Sequence, residues 1–293
     1  MPSLKRAVLL CTLLGGLAVL GGCGGAPSLS KISLFSSSKA KAGDKEVVPN
    51  QLYGEADGLL EDGKFTAAAK KFEEVDRQHP YSPFARRSLV MAAYSHYKSG
   101  DYDKAILTAR RYTTLHPGTK ENSLATHIIA SSYYDQIRDP ARDQSRTKKA
   151  LKSLQELVTR FPDSKYAAQA VNRIRITKDV LAASEMNVGR YYLKKNNYLA
   201  SINRFRTVVV RYQTTPHVEE ALMRLTETYM AMGITNEAQT AAAVLGHNFP
   251  NSKWYKDAYA LLQSGGLEPR EDTGSWISRR WKRAVSRVSR RKS

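Results

Sequence analysis

From residue 51 onward, apolar and polar residues alternate with the period of paired amphipathic helices. Small residues and aromatic residues return in the same order within each predicted pair. The register is clearest at Gly189, Tyr192, Tyr198, Ser201, Phe205 and Val208. Small residues let two helices approach closely, and aromatic rings fill the space between them. Three other segments share this register, so the pattern predicts stacked helical hairpins rather than a generic helical bundle.

A short turn motif separates the predicted hairpins. The stretch FPDSKYAAQA begins at Phe161 and FPNSKWYKDA begins at Phe249; looser copies begin at His79, His116 and Tyr212. Consecutive copies start between 37 and 51 residues apart, a spacing typical of stacked repeat proteins. We expect the proline and the Ser or Thr of each copy to close one hairpin and to cap the next helix.

Two irregularities interrupt the array. The third unit is lengthened by RDPARDQSR at residues 138–146, which predicts an ordered or semi-ordered surface loop. Residues 165–195 contain no proline and a single glycine, which predicts one long helix. The expected fold is all-α: a tetratricopeptide-repeat superhelix of about five helical hairpins over residues 51–266, with a long helix joining units three and four.

The N-terminal segment has the features of a targeting signal. Lys5 and Arg6 precede an apolar run at residues 7–20, which is too short to span a bilayer. The sequence LGGC then ends at Cys23 and resembles a bacterial lipobox, although an ordinary signal peptide with an incidental cysteine is the alternative. We expect residues 1–22 to be a lipoprotein signal peptide. Residues 23–50 would be a flexible tether lipidated at Cys23, because Gly, Ser and Lys dominate it.

The resemblance to a lipobox implies a location. Cleavage before Cys23 and acylation by several chains would attach the protein to a membrane without a spanning helix. Gly24 follows the cysteine and fits export to the outer membrane. The expected position is the inner leaflet of the outer membrane, with the protein facing the periplasm.

The C-terminal segment, residues 267–293, is predicted to be a basic amphipathic tail. Residues 273–293 carry eight basic side chains and no acidic one. Ile277, Trp281 and Val288 recur at helical spacing, and Trp276 adds a second tryptophan. Such a segment is typical of a helix that lies on a membrane or on a partner; a disordered basic tail is the alternative.

The composition and the motifs of the chain limit which partners and which activities we expect. The net charge of +19 favours acidic partners or anionic lipid surfaces. Nucleic acid is not an expected partner, because the anchor places the protein outside the cytoplasm and no nucleic-acid-binding motif accompanies the charge. The six histidines are scattered singly, and neither a phosphate-binding loop nor a nucleophile elbow occurs. We therefore expect a protein that is not an enzyme and that binds no metal or cofactor.

Stacked helical hairpins offer a concave groove in which a peptide can lie. The candidate groove residues are tyrosines on the first helix of each of the first three units. They are Tyr53, Tyr94, Tyr97, Tyr133 and Tyr134. Each of them is as compatible with core packing as with the groove surface.

Several stretches together resemble the BamD (ComL) family, the tetratricopeptide-repeat lipoproteins of the β-barrel assembly machinery. They are the lipobox, HPYSPFARRSLVMAAYSHYKSGDYDKAI, YYDQIRDPARDQSRTKKALKSLQELVTRFPDSKYAAQA and EMNVGRYYLKKNNYLASINRFRTVV. The resemblance runs from Cys23 to about residue 262. It implies a non-enzymatic scaffold that assists folding and insertion of outer-membrane proteins.

The resemblance also implies partners and residues. The N-terminal repeats would receive targeting signals of unfolded outer-membrane proteins, near Arg111, Pro80 and Tyr81. The C-terminal repeats would dock a POTRA domain of BamA, through Arg204, and accessory Bam lipoproteins. The alternative function is a repeat-bearing envelope adaptor that tethers peptidoglycan or cell-wall enzymes. For both arginines, an ordinary solvent-exposed helix charge is the competing interpretation.

Overall fold

The computed structural model describes residues 48–289, with side chains up to residue 283. The signal, the tether and Cys23 lie outside the described residues, and so do residues 290–293. The described part consists of helices joined by short turns and by two longer connections, at residues 135–144 and 265–275. The helices are α1 (Pro49–Glu61), α2 (Phe65–Gln78), α3 (Pro83–Lys98), α4 (Tyr102–Leu115), α5 (Asn122–Tyr134), α6 (Ser145–Arg160), α7 (Ala167–Lys194), α8 (Tyr198–Arg211), α9 (His217–Ala231), α10 (Thr235–Asn248), α11 (Lys253–Ser264) and α12 (Trp276–Ser289).

Consecutive helices pack as antiparallel hairpins, which confirms the predicted repeat fold. Helices α1 to α10 form five such pairs. The first helices also pack on one another, α1 on α3, α3 on α5, α7 on α9 and α9 on α11, whereas the second helices of neighbouring pairs are farther apart. In a curved stack the closer layer lies on the inner side. The first helices therefore line the concave face.

The five copies of the turn motif adopt the same hydrogen bond. In each copy the N–H of the Ser or Thr donates to the carbonyl of the aromatic or His residue three positions earlier, at 2.9–3.5 Å. Proline fits the second position of such a turn because its ring fixes φ. The predicted cap forms at Ser82, whose Oγ accepts from the N–H of Ala85, and at Ser252. Thr119 and Thr215 instead donate their hydroxyls back into the turn.

The long helix is also confirmed. Helix α7 runs for 28 residues without a break. Its N-terminal part packs on α6 and its C-terminal part on α8. Gly189 is buried against the ring of Phe205 on α8, so the two helices approach closely at this point. Helix α7 thereby joins the third hairpin to the fourth.

The C-terminal segment differs from both predictions made for it. Residues up to 283 are neither a disordered tail nor a helix free to lie on a membrane, because α12 packs on α8 and α10. Ile277 is 0% exposed and belongs to the same hydrophobic cluster as the fourth and fifth hairpins, as does the half-buried Leu267. The helical spacing of apolar residues was interpreted correctly, but the surface that the helix covers is its own protein. Residues 267–283 are thus part of the repeat body.

Among the described helices, none combines the length and the apolarity that crossing a membrane requires.

Candidate functional site

The concave face carries a polar aromatic cluster between α3, α5 and α7. The Tyr97 hydroxyl donates to Oδ2 of Asp135 at 2.7 Å. The guanidinium of Arg173 lies 4.6 Å from the ring centroid of Tyr134 and donates to Oγ of Ser131 at 2.7 Å. Tyr94 packs in the same layer, half-buried against the hydrophobic cluster that α3, α4, α5 and α6 form. The first helices therefore bring aromatic rings and one guanidinium together.

Burial sets the protonation states in this cluster. Desolvation, followed by the hydrogen bond to Asp135, raises the pKa of Tyr97 to about 12, so its hydroxyl remains a donor at neutral pH. His127 stacks on Tyr166 with ring centroids 4.2 Å apart. Desolvation and then the charge of Arg173 lower the pKa of His127 to about 4. His127 is thus neutral at neutral pH, and Arg173 supplies the positive charge there.

An open cavity of about 730 Å³ continues from this cluster. It lies between the start of α4, the end of α5 and the connection from Asp135 to Gln144. Its lining includes Tyr102, Ile137, Arg138 and Arg142. Apolar surface and charged side chains of both signs meet here.

The structure separates the predicted groove residues. Tyr53 belongs to the packing between α1, α2 and α3, with ring centroids 5.4 Å from Phe72 and 5.5 Å from Phe84. Tyr133 is only 6% exposed and faces α4 and α6 rather than α7. Tyr94, Tyr97 and Tyr134 remain candidates for the groove.

The residues of the predicted N-terminal recognition region do not come together. Pro80 is exposed and Tyr81 is 100% exposed, both in the turn between α2 and α3. Arg111 lies on the second helix α4, where its Nη1 is 2.7 Å from Oδ2 of Asp76 on α2. That ion pair ties two second helices together. Arg111 is therefore not in the first-helix groove.

Three groove residues were missed from the sequence: His127, Asp135 and Arg173. Arg173 was missed because a single arginine in a long amphipathic helix is usually a solvent-exposed charge, so the sequence of α7 did not indicate a groove residue. Helix α5 did carry one, because His127, Ser131 and Tyr134 share a face at spacings of four and three. A face of polar and aromatic residues is unlike a core stripe.

Arg204 lies on α8, with Nη1 3.1 Å from Oε2 of Glu185 on α7. Its side chain remains 43% exposed. The tip of the same hairpin exposes two apolar side chains, Tyr191 at the end of α7 and Leu199 at the start of α8. The fourth hairpin therefore presents both charge and apolar surface to solvent.

The two tryptophans of the C-terminal segment face the protein. The Trp276 Nε1–H donates to the Tyr229 hydroxyl at 3.0 Å, and Arg206 lies 4.8 Å from the ring of Trp276. Trp281 meets Phe249 edge to face, with centroids 6.0 Å apart. Trp276 and Trp281 were expected to contact a membrane or a partner; they hold α12 on the repeats instead.

Within residues 48–289, no group of three or more His, Cys, Asp or Glu residues is placed to hold a metal ion.

Comparison with known proteins gives consistent matches. A family model for YfiO, described as an outer membrane lipoprotein, matches residues 45–245. The outer membrane protein assembly factor BamD of Caulobacter vibrioides is 44% identical, over 74% of this chain and 72% of its own. The BamD of Rickettsia prowazekii is 39% identical, over 89% of this chain and 99% of its own. A tetratricopeptide repeat protein from Parabacteroides merdae aligns over 74% of this chain and 73% of its own, with a TM-score of 0.32 and 15% identity.

Proposed function

The chain belongs to the outer membrane lipoprotein family that the YfiO model describes, and we propose that it is an outer membrane protein assembly factor acting as a non-enzymatic scaffold. The observation that carries this proposal is the similarity to the assembly factors BamD, at 44% and 39% identity over most of the chain. A lipid anchor at Cys23 would hold the scaffold on the inner leaflet of the outer membrane, facing the periplasm.

The proposed scaffold uses two surfaces. The first-helix groove around Tyr97, Tyr134 and Arg173 receives a targeting signal of an unfolded outer-membrane protein. The fourth hairpin, through Arg204, contacts the POTRA domain of BamA, and accessory Bam lipoproteins bind the same half. Helix α7 joins both surfaces in one continuous element, which supports the idea that substrate and insertase are held at a fixed separation.

The proposal as a whole is tested by affinity purification of the lipidated, C-terminally tagged protein from mild-detergent membrane extracts, followed by mass spectrometry. We expect a POTRA-bearing outer-membrane barrel as the dominant stoichiometric partner. Dominance of cell-wall synthases or hydrolases would favour the envelope adaptor instead and would overturn the proposal.

The role of Arg204 leads to a prediction about the charge of the fourth hairpin. Arg204→Glu should weaken binding of BamA about tenfold or more, since a partner carboxylate would lose its counter-charge and meet a negative one. The substitution also places the new carboxylate at position 204 next to the carboxylate of Glu185, and the two repel each other. The double variant Glu185→Arg/Arg204→Glu restores the internal ion pair with the signs exchanged. Binding is measured by co-purification and by titration with the isolated partner.

The double variant separates two roles for Arg204. A direct contact predicts that both variants lose BamA. Recovery of binding in the double variant would mean that Arg204 acts through Glu185 by orienting α7 and α8. Unchanged binding by Arg204→Glu would remove the residue from the interface.

The groove leads to a second prediction. Arg173→Ala should weaken binding of a peptide that carries the C-terminal targeting signal by about tenfold, because it removes the positive charge and the cation over Tyr134. Arg175→Ala is the matched control, because Arg175 is exposed on the same helix and its Nη2 donates to Oδ1 of Asn172 at 3.1 Å. Fluorescence anisotropy of a labelled peptide measures both. Equal effects of the two variants would show that the charge acts nonspecifically.

A further inference from the structure

A second concave site lies on the other layer of the fold, between α4, α5 and α6. The cleft has a volume of about 340 Å³. Its floor consists of the buried side chains of Thr126, Ile129 and Tyr133. Its walls carry the residues Arg110 and Thr113 from α4, and Lys149, Lys152, Ser153 and Glu156 from α6. Because α4 and α6 are second helices, the cleft is separate from the first-helix groove.

Three exposed cations line this cleft and form no close ion pair within the described part of the chain. Arg110, Lys149 and Lys152 form no ion pair with any described residue within 4.0 Å. The one acidic residue of the lining, Glu156, is occupied by Arg160 at 2.7 Å. Three like charges that converge in a concave site repel one another, and a concave wall strengthens their combined field.

Neighbouring cations on the same two helices are treated differently. Arg111 pairs with Asp76, Arg146 pairs with Asp103 and Lys104 pairs with Asp101, at 2.7–2.8 Å. Three nearby cations on α4 and α6 thus have acidic partners, whereas the three that line the cleft have none within 4.0 Å among the described residues. The cleft has no unpaired carboxylate to balance its three cations, so it suits a ligand that carries negative charge.

The floor holds one of these cations in position. The Tyr133 hydroxyl accepts a hydrogen bond from Nη2 of Arg110 at 3.1 Å. The ring of Tyr133 also lies 6.0 Å from the Arg110 guanidinium and 5.9 Å from Nζ of Lys149. One buried side chain thus orients two cations toward the same space. Tyr133 is a positioning residue for the cleft.

We propose that this cleft binds a phosphoryl group. A phosphoryl group brings as much as two negative charges and three strong acceptor oxygens, which match one guanidinium and two ammonium groups. A phosphodiester headgroup keeps one negative charge and two unesterified oxygens, so the cleft should hold it less tightly than a phosphate monoester. The volume suits a phosphate or a single phosphodiester headgroup. The source is either a phospholipid headgroup or a soluble phosphate.

The test titrates the full chain carrying Cys23→Ser with inorganic phosphate, with glycerol phosphate and with phosphatidylglycerol vesicles. Lys149→Ala/Lys152→Ala should weaken binding of the effective ligand about tenfold or more. The control Lys70→Ala/Lys256→Ala removes the same charge from two exposed helix positions outside the cleft. Tyr133→Phe keeps the ring, removes the hydroxyl that holds Arg110, and should weaken binding by a smaller factor.

The three titrations show whether the phosphoryl group comes from a soluble ligand or from a lipid. Calorimetry measures binding of inorganic phosphate and of glycerol phosphate, and binding of either one supports a soluble ligand. Flotation measures binding to phosphatidylglycerol vesicles, and binding to the vesicles alone supports a lipid headgroup. Equal losses in the cleft and control variants would show nonspecific charge attraction and would overturn the proposal. Binding of none of the three ligands would overturn it as well. None of these outcomes depends on the substrate role of the first-helix groove.

Discussion

Replacing Ile277 by aspartate should release α12 from the repeats and lower the free energy of unfolding by about 3 kcal/mol or more. Ile277 is fully buried in the cluster shared by the fourth and fifth hairpins. Docking with a carboxylate at this position would bury an unpaired charge, so the helix detaches and loses its apolar contacts. Chemical denaturation measures the change, and the released helix should be cleaved by trypsin at basic residues that are exposed but held in a docked helix in the parent protein.

A matched control separates burial from charge. Thr273→Asp introduces the same charge at an exposed position, four residues before Ile277. We expect its stability and its resistance to trypsin to equal those of the parent protein. Equal stability of Ile277→Asp and the parent would mean that α12 contributes no packing energy and that the C-terminal segment is a free tail after all.

The second large effect concerns the contact between α7 and α8. Gly189→Ala should destabilise the protein by about 1–3 kcal/mol, the usual cost of overpacking. A methyl group at this position would overlap the ring of Phe205, which is fully buried. Thermal and chemical unfolding measure the loss.

Two companion variants make the test specific. Gly58→Ala on α1 has no atom within 4 Å of the added methyl group, so it should stabilise the protein by about 0.5–1 kcal/mol through helix propensity. Adding Phe205→Leu to Gly189→Ala should cost less than the sum of the two single changes, because the smaller side chain makes room. Stabilisation by Gly189→Ala alone would contradict the close approach of the two helices.

The fold could be predicted because the features that determine it involve residues that are close together in the sequence. The turn motif, the small and aromatic register and the absence of helix breakers at residues 165–195 each concern neighbours in sequence. Each repeat contacts mainly the next one, so local patterns suffice to specify the stack. The hairpins and the long helix α7 were therefore predicted correctly from the sequence.

The groove was predicted only in part. Tyr97 and Tyr134 were named as candidates because aromatic residues on first helices are expected near a concave face, and the structure places both in the cluster around Arg173 and Asp135. Arg173 lies about 40 positions farther along the chain than Ser131 and Tyr134, which it contacts. No local pattern connects them. Arg111 and Tyr53 were misplaced for the same reason, since their partners Asp76 and Phe72 come from other helices.

The sequence by itself determined the repeat architecture, the family and the basic amphipathic character of the C-terminal segment. Only the tertiary structure decided which surface α12 covers, which tyrosines face the groove and which cations lack a partner. Amphipathicity states that a helix has an apolar face, but not whether lipid, a partner or its own protein covers that face. Burial and ion pairing depend on contacts between residues distant in sequence, and these exist only after the hairpins have stacked.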